Sequence, residues 1–142
     1  MEERHSGLVL GFFEKRREKK IIAEFMKLEE KQKIAVVLSC FDSELMNGGL
    51  CQFFINDTRL YAPYVAGYLN IVGAKEISSR FTNFVESNGI DLNDLSSFKC
   101  RSLEEFSAQY KRYPFDDFDN FYYEQNEVCS VLSLSEKYLL GE

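Results

Sequence analysis

The chain contains no tryptophan, one histidine and two prolines in 142 residues. The lone histidine is His5. A Ser-His-Asp triad or a Cys-His pair would have to recruit it from a terminal segment, where order is least secure. The four cysteines, Cys40, Cys51, Cys100 and Cys129, contain no C-x-x-C spacing. With one histidine they do not form a usual zinc-binding set, so no metal and no cofactor are expected. They read instead as small, reduced, inert thiols of a cytosolic protein.

Long apolar runs are also missing. No stretch approaches the roughly 20 apolar residues that a membrane span requires. The run Leu8-Val9-Leu10-Gly11-Phe12-Phe13 is short, and its basic cluster follows rather than precedes it, unlike a secretory signal. No membrane partner is expected. Positive charge is scarce: 17 Lys/Arg stand against 23 Asp/Glu, for a net charge of −6 and a pI near 4.9. That balance opposes direct binding to nucleic acid, which needs a basic face. It permits a basic protein as partner. The polarity is uneven. Residues 1–33 hold nine Lys/Arg and seven Asp/Glu, whereas residues 34–142 hold eight and sixteen.

What is present is aromatic volume and helical periodicity. Thirteen Phe and eight Tyr must supply the large core side chains in the absence of Trp. Apolar residues recur at threes and fours almost throughout, which predicts helices. The reading is all-α: one compact multi-helix domain of six to eight helices overall, made of an N-terminal helical segment over 1–33 and an all-α domain over 34–142. A charged helix with a narrow apolar face is expected over 14–33. The stripe Ile34, Val37, Leu38, Phe41, Leu45 predicts a core-facing helix closed by Asn47 and a left-handed Gly48. A short helix should carry Leu50, Phe53 and Phe54, with a break at Asp57-Thr58-Arg59. Helices follow over 61–72, with Pro63 in the first turn, and over 75–87, stopped by Asn88-Gly89. Residues 90–101 look irregular. Ser102-x-x-Glu105 and Ser133-x-x-Glu136 are capping-box patterns for helices over 103–111 and 134–140. Phe115 to Asn126 is aromatic, acidic and helical in pattern.

The densest signal is Asn47-Gly48-Gly49-Leu50-Cys51-Gln52-Phe53-Phe54-Ile55-Asn56. Two glycines separate two apolar stretches, and amides recur where burial is expected. A buried amide without a partner costs about 1–3 kcal/mol, so Asn47, Gln52 and Asn56 imply a fixed turn with its own hydrogen bonds. Gln52 and Asn56, at i and i+4, either tie the turn to neighbouring helices or line a pocket. A positive φ is expected at Gly48 or Gly49. The segment lacks the Lys and Ser/Thr of a phosphate-binding P-loop and follows no strand. A second constellation is acidic: Glu104, Glu105, Asp116, Asp117, Asp119 and Glu124. It forms either a solvated helix face or a surface for a basic partner, with Phe115, Phe118, Phe121, Tyr122 and Tyr123 interleaved.

Asn47-Gly48-Gly49-x-x-Gln52-Phe53-Phe54-x-Asn56 resembles the signature of the bacterial DNA mimic protein 19 family, domain of unknown function 4375. Ile71-Val72-Gly73-Ala74 resembles that family's second landmark, a turn between two helices. Phe115-Asp116-Asp117-Phe118-Asp119-Asn120-Phe121-Tyr122 resembles its third. Leu50 stands where the family usually carries a bulky aromatic. The resemblance spans about 34–140 and implies an all-α fold. It also implies a non-enzymatic acidic protein that displays carboxylates in a DNA-like arrangement and occupies a DNA-binding regulator. Two alternatives stay open. One is an enzyme or small-molecule binder with its site at Asn47, Gln52 and Asn56. The other is an immunity or antitoxin-like protein, also an acidic binder. Homodimerisation stays open too.

Overall fold

The computed structural model describes the backbone of residues 2–141 and the side chains of residues 11–141. Within that range eight α-helices and two short 3-10 turns account for the regular structure, and no strand is present. The chain divides into two units, residues 1–33 and 34–142. His5 lies among the residues whose side chains are outside the described set.

The first unit is dominated by α1, Glu2–Met26. The sequence pattern predicts one helix over 14–33, but the chain breaks after Met26. A second helix, α2, starts at Glu30 and runs to Gly48. The apolar spacing continues through Leu28 and so conceals the break. The restart is local chemistry. The Glu29 N–H donates to Gln32 Oε1 at 3.0 Å, and the Lys33 N–H donates to the Glu29 carbonyl at 2.9 Å. That is half of a capping box, with a glutamine three residues into the helix satisfying an N–H that the helix itself leaves without a partner.

The second unit begins within α2, whose Ile34, Val37, Leu38, Phe41 and Leu45 are fully buried, as their spacing predicts. Next come α3 (Leu50–Ile55) and a 3-10 turn at Asp57–Tyr61. α4 (Ala62–Val72) and α5 (Lys75–Ser87) form a hairpin. Gly73, at φ 96°, closes α4, and Ser78 Oγ donates to the Ala66 carbonyl at 2.8 Å across the pair. Residues 88–102 are irregular apart from a turn at Ser96–Phe98. α6 (Leu103–Arg112) is capped by Ser102, as its capping-box pattern predicts. α7 (Phe115–Val128) and α8 (Val131–Leu139) complete the unit. The cap of α8 differs from expectation. Ser130, not Ser133, is the N-cap, and it accepts the Ser133 N–H at 3.0 Å. Ser133 therefore sits in the first turn. Asn126 Oδ1 accepts the Val131 N–H at 3.2 Å and holds the helix start one turn earlier.

Phenylalanine carries the core. The Phe41 ring meets Phe53, Phe81 and Tyr122 edge-on at 5.2, 5.8 and 5.6 Å between centroids. Phe54 touches Phe98 and Phe115 at 5.1 and 6.3 Å. Each such pair contributes about 0.5–1.5 kcal/mol beyond the area it buries. The cluster joins α2, α3, α5 and α7, and so fixes where the double glycine and the acidic segment meet.

Candidate functional site: the double-glycine turn and the acidic helix

The two glycines do different jobs. Gly48 is the last residue of α2 and is helical rather than left-handed, which corrects the expected closure there. A Cβ on Gly48 would collide with the Gln52 side chain, whose Cδ would lie at 2.6 Å. The missing Cβ lets the glutamine fold back over the helix end. Gly49 makes the turn, at φ 85° and ψ −176°. Glycine is essentially the only residue to enter that region. A Cβ on Gly49 would run into the Asp119 carboxylate, with Cγ at 2.8 Å.

That contact joins the two constellations. Asp119 Oδ1 accepts the Leu50 N–H at 2.9 Å, the first amide of α3. Three more α7 side chains grip neighbouring elements. Tyr122 Oη donates to Asp42 Oδ1 at 2.6 Å, and Asn126 Nδ2 donates to the same oxygen at 3.1 Å. Tyr123 Oη donates to the Leu45 carbonyl at 2.8 Å. At i, i+3, i+4 and i+7 these residues share one side of α7. That side is a bracket for the end of α2 and the glycine turn. Asp119 is 6% exposed. Burial first, and then the nearby Asp116 charge, push its carboxyl up to about 6, with the Leu50 N–H pulling the other way. Burial and the Asp42 bond raise the Tyr122 hydroxyl, keeping it protonated as a donor.

The predicted residues therefore separate. Asp119 turns inward, while Glu104, Glu105, Asp116, Asp117 and Glu124 are exposed. Glu105 also caps α6, accepting the Arg101 N–H while its own N–H donates to Ser102 Oγ at 3.1 Å. Asp116 accepts the Tyr110 hydroxyl. Asp116 and Asp117 lie in the first turn of α7, where the helix dipole favours negative charge. Glu127 is exposed as well. Its i+11 relation to Asp116 is the signal in the sequence that places it on the same side. From Phe115 to Val128 there is no Lys or Arg. α7 is thus bracketed on one side and acidic on the adjoining one.

The amides of the glycine segment do not converge. Asn47 is exposed at the end of α2. Phe53 is wholly buried in the core. Asn56 is exposed and donates to Glu44 Oε2 at 2.6 Å. Gln52 and Asn56 border an open groove of about 690 Å³, with Ile55, Cys100, Leu103 and Phe106 on its other sides. All four cysteines are free. Burial and then the Asp119 charge push the Cys51 thiol up to about 12. Burial first also raises Cys40 and Cys100. None of these three is a thiolate nucleophile at neutral pH. Among the described residues no group of three His, Cys, Asp or Glu is placed to hold a metal, and no helix is long and apolar enough to cross a membrane.

No curated protein and no solved structure matches the chain. The family model described as DMP19-like protein matches residues 26–140, a range that takes in the glycine turn, the α4–α5 hairpin and the bracketed acidic helix, and the chain belongs to that family.

Proposed function

We propose that this is a non-enzymatic acidic protein whose exposed α7 side receives a basic partner protein, with a DNA-binding regulator as the partner and DNA mimicry as the mode. One observation carries the reading. Asp116, Asp117, Glu124 and Glu127 line the exposed side of α7, with no cation on that helix. Glu104 and Glu105 add charge at the start of α6. The adjoining side of α7 is locked to α2 and α3 by four side chains, so the carboxylates sit on a fixed rod. A rigid array of one sign steers an oppositely charged partner and sets salt dependence more than raw affinity. Membership of the DMP19-like family agrees with such a role. Four free cysteines suit a reducing cytosol.

The test is affinity capture of the partner with the full chain, followed by titration at low and high salt. Binding should weaken steeply with salt, and Asp116→Asn with Asp117→Asn and Glu124→Gln should weaken it further. Salt-insensitive binding, or binding indifferent to these substitutions, refutes the reading. A ligand site at the double glycine has weaker support. Gln52 and Asn56 reach the groove, but Asn47 does not line it and the Asn56 amide is engaged by Glu44.

A further inference from the structure

α1 has a packed side and an exposed side, and its charges are sorted between them. Phe25 is buried, and Glu14, Glu18, Ile21 and Ile22 are half-buried. At about 100° per residue these five share an arc of about 100°. The opposite side is exposed. Lys15, Arg16, Lys19 and Lys20 stand there with Phe12, Phe13 and Ala23, in an arc of about 160° over about 16 Å of helix. Glu24, just past Phe13 in projection, marks the edge of that arc. The face itself holds four cations and no carboxylate.

Two of its members are large aromatics. Phe12 is 62% exposed and Phe13 57%, and their rings meet edge-on at 5.8 Å between centroids. Together they form one apolar knob at the N-terminal end of the cations. Along the edge of the face, Lys15, Glu18, Lys19, Ile22 and Ala23 border an open groove of about 400 Å³, where lysine stems and aliphatic side chains offer further apolar surface. Charge alone suits any polyanion. A duplex is met by cations and polar hydrogen-bonding groups along its phosphates, where an exposed pair of Phe rings has no counterpart. An anionic bilayer takes both groups: its headgroups meet the cations, and the boundary beneath them takes the rings. The expectation of no membrane partner rests on the missing span. A helix that lies on a bilayer needs no spanning length, so the absence of a spanning helix among the described residues leaves this mode open.

We propose that the exposed face of α1 binds the surface of an anionic phospholipid bilayer. The helix lies flat, with its four cations on headgroup phosphates and Phe12 and Phe13 in the boundary between headgroups and acyl chains. α1 lies outside the family match except for its last residue, so this face is not among the features that the match covers. The inference is independent of the reading of α7. Each cation near such a surface is worth about fivefold in affinity. Reversal with Lys15→Glu, Arg16→Glu, Lys19→Glu and Lys20→Glu should therefore weaken binding at least about hundredfold. Phe12→Ala with Phe13→Ala should weaken it about tenfold and leave its salt dependence in place.

The measurement is flotation of the full chain with phosphatidylcholine vesicles carrying about 30% phosphatidylglycerol, beside pure phosphatidylcholine vesicles, at low and high salt. Fluorescence anisotropy on duplex DNA runs in parallel. The chain should float with the charged vesicles, less so as salt rises, and stay off the neutral ones. All six substituted positions are exposed, so thermal melts should match wild type, and the aromatic pair tests the site with its charge intact. A wild-type chain that stays off the charged vesicles at low salt overturns the proposal, and so does equal binding to neutral vesicles. Vesicle binding that survives both sets of substitutions lies elsewhere on the chain and overturns it too. Duplex DNA held through the same cations, with the Phe substitutions neutral and no vesicle binding, makes the face a nucleic-acid site instead.

Discussion

The Asp119 carboxylate lies where a Cβ on Gly49 would be, and from there it accepts the Leu50 N–H at 2.9 Å. Glycine at 49 is thus required twice, by the backbone at φ 85° and by the space the carboxylate fills. Gly49→Ala should cost roughly 2–3 kcal/mol from conformation and contact together. The melting temperature should fall by about 5–10 °C on the usual scaling for this size. Gly48→Ala is a milder change. It displaces the flexible end of Gln52, but it removes a helical glycine worth about 1 kcal/mol against alanine. The order should be Gly49→Ala well below Gly48→Ala, read by thermal melts. Equal melting of Gly49→Ala and wild type would mean the turn is dispensable.

Asp119 gives stability a specific pH dependence. Its folded carboxyl is raised to about 6 from the ordinary 3.8, burial being the first cause. The folded state thus holds the proton more tightly than the unfolded chain does. The stabilisation from this group is full below about 3.8 and is lost as pH rises through about 6. Asp119→Asn keeps an oxygen for the Leu50 N–H and should flatten that decline. Asp119→Ala leaves the buried N–H without a partner and should cost about 1–3 kcal/mol. Urea unfolding between pH 4 and 7 reads both. An Asp119→Asn variant with the wild-type slope would show that other groups set it.

The Tyr122–Asp42 bond is the shortest tie in the bracket, joining residues 80 apart in sequence at 2.6 Å in space. Tyr122→Phe keeps the ring against Phe41 and removes only the donor. It should cost about 1–2 kcal/mol, because Asn126 still satisfies Asp42. Phe41→Ala deletes the ring that three others pack on and should cost about 3–5 kcal/mol. Chemical denaturation of the two variants checks the ratio. A Tyr122→Phe as damaging as Phe41→Ala would show that the hydroxyl, not the ring cluster, holds α7 in place.

Much of this was legible in the residues, and the misses have physical causes. The stripe from Ile34 to Leu45 and the hairpin closed at Gly73 follow from spacing and glycine placement. The α1–α2 break was hidden because Gln32, not a Ser or Asp, supplies the cap. The acidic segment read as one surface because sequence shows charge and not direction. Asp119 differs from Asp116 and Asp117 only in facing Gly49, a relation across 70 residues that no local pattern encodes. The double glycine looked like one turn, but it is a turn at Gly49 beside a clearance for Gln52 at Gly48.

That inward turn yields the sharpest separation between structure and binding. Asp116, Asp117, Glu124 and Glu127 are exposed, so neutralising them removes surface charge at a cost within about 0.5 kcal/mol of stability each. Asp119 is buried, and on the proposed reading it lies outside the partner-binding side. Asp117→Asn with Glu124→Gln and Glu127→Gln should therefore slow partner association and flatten its salt dependence, leaving the melting temperature within a few degrees of wild type. Asp119→Asn should do the reverse, altering the pH dependence of stability while leaving association at neutral pH near wild type. Stopped-flow association with the captured partner, beside thermal melts of the same samples, reads both. If Asp119→Asn slows association as much as the triple variant, the partner senses the bracket itself, and the assignment of binding to the exposed side of α7 fails.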